Sequence, residues 1–157
     1  VLFRSSGSLF SPYPLKIPRR FWYCLNAPDV DALSDVISDD CRIIDPRGAW
    51  VEGRDTCLQM MRALFKIDPD YRIHVNSMGR SGGNVLIAGR TTARNPRFAT
   101  TTLWRARSDR RHLHEWQSYS SAPGVSYCRL LVGDKAQMGP FLEAVLLAFA
   151  VLKITSG

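Results

Sequence analysis

YRIHVNSMGRSGGNVLIAGRTTAR, residues 71–94, is where the chain changes its hydrophobic period. Tyr71, Ile73 and Val75 alternate with Arg72, His74 and Asn76, the period of two expected of a half-buried strand. Ser81-Gly82-Gly83-Asn84 follows as a hairpin signal, because glycine accepts the positive φ of tight hairpin turns. Strands are predicted over 71–78 and 85–94. Asn95-Pro96 marks a turn, 98–107 a third strand, 108–111 another turn and 112–120 a fourth strand.

Upstream of this meander the period is helical. Pro18 suits the first turn of a helix, and Phe21, Trp22 and Leu25 follow at helical spacing over 19–26. Asp31 is expected to cap a second helix through Ile37, ended by Ser38-Asp39-Asp40. A short strand over 41–45 closes at Pro46-Arg47-Gly48. Gly53 and Asp55 introduce a third helix over 56–65, with Leu58, Met61 and Leu64 as its apolar stripe. Three helices and one short strand before a long antiparallel meander predict an α+β fold. Its curved antiparallel sheet wraps around the three N-terminal helices and encloses one cavity.

A chain of 157 residues with 45% hydrophobic content fits one domain with a real core. The net charge of +7 comes mostly from arginine, spread along the chain apart from Arg19-Arg20 and the group from Arg105 to Arg111. Zinc-finger spacing, an RNA-binding aromatic signature and basic heptads are all missing, so no nucleic-acid partner is expected. Four widely spaced cysteines form no Cys-x-x-Cys pair, which points to a reduced, cytoplasmic compartment. His112 and His114 share a strand face but have no evident third ligand, so no metal is expected. Residues 1–16 are expected to be a non-native or disordered leader, 17–120 the domain, and 121–157 a C-terminal extension with a helix over 140–154. The apolar run 141–154 is shorter than the ~18 residues a membrane span needs, so no membrane partner is expected.

Leu25-Asn26-Ala27-Pro28-Asp29-Val30-Asp31-Ala32-Leu33 resembles the opening of nuclear transport factor 2-like domains. Asp39-Asp40-Cys41-Arg42-Ile43-Ile44-Asp45-Pro46-Arg47-Gly48 resembles the Asp-Asp, strand, Asp-Pro-x-Gly run of ketosteroid isomerases. Gly53-Arg54-Asp55, Thr102-Leu103-Trp104-Arg105 and Glu115-Trp116 are similar to SnoaL-like polyketide cyclases. The likeness spans about 19–120 and implies a cone-shaped, cystatin-like α+β barrel without a cofactor.

The resemblance also implies roles. Asp45 falls where the isomerases carry a general base, and a carboxylate entering an apolar cavity would hold its proton more tightly. An Asp before Pro also often accepts backbone hydrogen bonds in a turn, and both readings stand. Phe21 occupies the place of the isomerases' oxyanion tyrosine, and Thr102 falls near that of their aspartic acid. Strand alternation puts Leu113, Glu115, Gln117 and Tyr119 on one face, and the resemblance places that face inward. Glu115 would then be a second acid/base, with Gln117 and Tyr119 lining the substrate site. Trp104 is expected to line the cavity from the face it shares with Thr100 and Thr102. Homodimerisation is implied, with His114 and Trp116 turned toward the partner. Two functions follow: an isomerase, cyclase or dehydratase acting on a hydrophobic small molecule, or a non-catalytic ligand-binding or dimerisation module of the same fold.

Overall fold

The computed structural model describes residues 13–120 and 125–138. Helix α1 (Tyr13–Asn26) buries Ile17, Phe21, Trp22 and Leu25 along one face. It begins before Pro18, not at it, so residues 13–16 of the expected leader belong to the helix. Pro14 sits in the first turn, where a missing N–H matters least. Pro18 lies inside the helix, and the burial of Ile17 and Phe21 on either side offsets the bond it cannot donate. The expected helix over 140–154 lies outside the described residues.

Asp29, not Asp31, caps α2 (Val30–Val36), its carboxylate accepting from the Ala32 N–H at 3.0 Å. The chain then enters β1 (Ile37–Ile44), so Ser38-Asp39-Asp40 form strand where a helix end is expected. β2 (Ala49–Glu52) returns antiparallel to β1, and α3 (Arg54–Ile67) follows. Helix α3 buries Cys57, Leu58, Met60, Met61 and Leu64. Arg54 ties its start to β1, donating to the Ile37 carbonyl at 3.1 Å and pairing with Asp39 at 2.8 Å.

The meander is β3 (Arg72–Ser81), β4 (Asn84–Thr92), β5 (Thr101–Ser108) and β6 (Leu113–Ser120). The predicted hairpin is present, with Ser81 paired to Asn84 and Gly82 at φ +61°. A bulge between Val75 and Ser77 brings β3 against Gly89, where a Cβ would lie 2.0 Å from the His74 carbonyl oxygen. Only glycine fits there. After β6 come α4 (Tyr127–Val132) and the two-residue β7 (Gln137–Met138).

The seven strands form one curved, unclosed sheet in the order β3-β4-β5-β6-β1-β2-β7. Its concave face holds α1, α2 and α3, which is the expected α+β cone. The pairing of β1 with β6 is parallel, joining the first strand to the last of the meander. No helix among the described residues is long and apolar enough to cross a membrane.

Candidate functional site

The cone contains a cavity of about 40 Å³ between α1, α3, α4 and the sheet. Phe21 and Leu25 close it from α1, Met60, Met61 and Leu64 from α3, and Tyr127 and Leu131 from α4. Ile43, Tyr71, Trp116 and Ser118 complete it from the sheet side. The Phe21 and Trp116 rings meet at 4.7 Å, and Trp104 lies tilted behind Trp116 at 6.2 Å. Ligand sites usually measure about 300–1,000 Å³, and one water takes about 30 Å³ of liquid, so side chains fill most of this cone. The Tyr127 hydroxyl donates to the Phe98 carbonyl at 3.2 Å. Those of Tyr71 and Ser118 make no side-chain hydrogen bond among the described residues. Burial pushes the pKa of both tyrosines up, which keeps the phenols protonated.

Asp45 is buried, as expected, but its carboxylate does not line the cavity. One oxygen accepts from the N–H groups of Arg47 and Ala49 at 2.8 and 3.1 Å. The other accepts from the Ser126 hydroxyl at 2.5 Å and the Cys128 N–H at 3.2 Å. Two of the four donors belong to the β1–β2 connection, Arg47 in the turn and Ala49 at the start of β2, and two to α4 with its cap. The carboxylate thus fixes the β1–β2 turn and pins α4, whose Tyr127 and Leu131 close the cavity. Burial raises the Asp45 pKa, and these four hydrogen bonds pull it back part of the way.

Leu113 joins the main core as expected, but from Glu115 onward the inward face of β6 is the reverse of the one expected. Trp116 and Ser118 point under the helices, whereas Glu115, Gln117 and Tyr119 lie on the opposite face. There Arg105 holds Glu115 in an ion pair, donates to Gln117 at 2.7 Å, and reaches Asn84 at 3.0 Å. The Tyr119 hydroxyl is buried beside Arg105 without a hydrogen bond of normal geometry, and burial pushes its pKa up. Both faces of β6 are largely buried, so alternation alone does not reveal which one meets the helices. Trp116 is therefore a core residue and unavailable to a partner. His114 is held at the sheet's end by Asp109 at 2.7 Å and Asp40 at 3.4 Å.

On β5 a register shift between Thr101 and Leu103 breaks the alternation. Thr102 is consequently exposed and lines no site, while Trp104 is fully buried behind Trp116 instead of lining the cavity. Of the expected site residues, Phe21 alone lines the void. Tyr71, Trp116, Ser118, Tyr127 and Leu131 of the lining, and Ser126 beside Asp45, are among the site residues that sequence reasoning missed. A signal for α4 exists in Ser126-Tyr127-Cys128-Arg129-Leu130-Leu131-Val132-Gly133, an N-cap serine and a glycine bracketing an apolar turn. Ser126 does cap α4, accepting from the Arg129 N–H at 3.3 Å. Among the described residues no group of three or more His, Cys, Asp or Glu side chains is placed to hold a metal ion.

Residues 19–114 match the family model of the SnoaL-like domain. No curated protein matches the sequence. Solved structures share the fold at low identity. One, of unknown function with a cystatin-like fold, from Xanthomonas campestris, superposes with a TM-score of 0.62 at 15% identity, covering 69% of this chain and 91% of that one. A protein with a ketosteroid isomerase-like fold from Catenulispora acidiphila, in complex with trimethylamine, gives 0.60 at 16% identity over 75% and 92%. A SnoaL-like protein of unknown function from Burkholderia thailandensis gives 0.57 at 15% identity over 71% and 98%.

Proposed function

We propose, for a chain that belongs to the SnoaL-like domain family, that the domain is a non-catalytic module holding one small, mostly apolar molecule in the cavity beneath α1. The observation that carries this reading is Asp45. Both its oxygens are occupied by backbone and serine donors, and no carboxylate lines the cavity. General-base catalysis needs a proton acceptor within hydrogen-bond reach of the substrate, and this lining offers none. What it offers is apolar surface, two methionines able to adjust their shape, and the hydroxyls of Tyr71 and Ser118 for one polar atom of a guest. Small ketones and alcohols of a few heavy atoms fit that chemistry. The Catenulispora relative, in complex with trimethylamine, is a precedent for a guest of that size.

The test uses acetone in deuterated water, followed by proton NMR with and without the protein. Binding is expected, seen as ligand line broadening and as a change in tryptophan fluorescence from Trp116. Exchange of the protons beside the carbonyl should run at the buffer rate. Accelerated exchange that Asp45→Asn abolishes would restore the isomerase-type reading and sink this one. Filling the void with Leu131→Trp should remove binding, and a steroid-sized ketone should not bind.

A further inference from the structure

The surface between α1 and β3 holds an open groove of about 600 Å³, far larger than the internal cavity. Arg19, Trp22 and Tyr23 form its helical wall, and Val75, Asn76 and Met78 its strand wall. β3 is the first strand in the sheet order, so no described strand pairs with its outer edge. One position on that edge is already occupied. The Asn26 side-chain amide accepts from the Ile73 N–H at 2.8 Å and donates to the Ile73 carbonyl at 2.9 Å. Those are the two bonds that a residue of a neighbouring strand makes. Because Ile73 points both backbone groups outward, alternation turns the N–H and C=O of Val75 to the same edge. They face the groove, beyond the point where Asn26 stops.

We infer that this groove is a recognition site for an extended acidic peptide, which continues along β3 the pairing that Asn26 begins. Backbone bonds to Val75 would supply affinity, as in other cases of strand addition. Every second peptide side chain would turn toward α1, where Arg19 lies beside Trp22 and exposed Tyr23, and the intervening ones toward Met78 on the strand wall. Charge selects the occupant. Arg19 is exposed, makes no ion pair among the described residues, and is the one charged residue in the groove's lining. A second copy pairing edge to edge would bring two such arginines together, whereas an acidic strand neutralises one. This site is separate from the cavity and does not depend on its occupant.

The probe is a fluorescein-labelled heptapeptide alternating glutamate with valine and phenylalanine, read by fluorescence anisotropy against the whole chain. Two control peptides replace glutamate with glutamine or carry N-methyl groups on alternate backbone nitrogens. Saturable binding is expected, weakened at least about tenfold by Arg19→Glu and by the glutamine peptide. The N-methyl peptide should not bind at all, a result that needs no protein variant. Val75→Pro removes an edge N–H without breaking a bond to β4 and should weaken binding at least about tenfold, with the circular dichroism spectrum kept. Binding that survives N-methylation, or is indifferent to Arg19→Glu, overturns the proposal. So does an absence of binding at millimolar peptide, or a dimer that Val75→Pro dissociates.

Discussion

Two oxygens of Asp45 receive four donors drawn from segments far apart in the chain, the β1–β2 turn and the start of α4. An amide cannot replace the carboxylate there, because its nitrogen would face N–H or O–H groups that need an acceptor. Asp45→Asn is expected to lower stability by about 1–3 kcal/mol, measured by urea unfolding. The pH dependence has a definite sign. Burial leaves the folded-state pKa above its unfolded value, so the folded chain takes up this proton first as pH falls. Protonation of Asp45 therefore favours the folded state at low pH, and that contribution is lost as pH rises through the raised pKa. The stability gap between the native chain and Asp45→Asn should widen from about pH 7 to about pH 4.5. A constant gap would mean that Asp45 titrates alike in the folded and unfolded chains.

Among the elements, the bulged β3–β4 pair is the least tolerant of change. Gly89→Ala would place a methyl group inside the His74 carbonyl, and backbone cannot swing aside as a side chain does. A loss of at least about 2 kcal/mol is expected by thermal or urea melting. This hairpin was also the most legible part of the sequence, because alternation and two glycines agree with the fold there. The helical stripes of Phe21, Trp22 and Leu25 and of Leu58, Met61 and Leu64 were legible for the same reason, one face apolar and one polar. The rest failed where local and tertiary signals diverge. β2 is four residues long and carries no periodic signal. Pro18 reads as a helix start, yet Ile17 and Phe21 bury deeply enough to carry the helix across it. β6 is buried on both faces, so its phase could not be fixed locally, and Glu115, Gln117 and Tyr119 were assigned to the wrong side. Asp45 was located correctly as a buried residue. Its occupation was hidden because half its donors come from α4, eighty-odd residues along the chain.

Over the whole molecule, one core ties distant elements together. Cys41 of β1, Cys57 of α3 and Cys128 of α4 are all fully buried, and the Cys57 thiol donates to the Cys41 carbonyl at 3.3 Å. The neighbouring Cys57 thiol and burial push the Cys41 thiol up, and burial does the same to Cys128, away from the reactive thiolate. Burial and the nearby Asp29 raise the Cys24 thiol too, but Cys24 is only half-buried where the other three are buried, so access makes it the thiol expected to react in the native protein. Labelling with an aromatic disulfide reagent at mildly alkaline pH should stop at one of the four thiols and reach all four in denaturant. Faster native labelling of a second cysteine would show that α4 opens without the rest of the fold.

The parallel pairing of β1 with β6 has a consequence for the order in which the protein can be made. Ile37 leaves the ribosome early, yet its neighbour Leu113 follows only after β3, β4 and β5 have emerged. Until then β1 has just β2 beside it, and the thermodynamic reward for its position waits on a contact distant in sequence. Synthesis would thus yield first a hairpin with loosely gathered helices, and then a late, cooperative closure when β6 slots between β5 and β1. A nascent chain stalled before residue 113 should remain protease-sensitive throughout, and resistance should arrive in a single step once β6 is free of the exit tunnel.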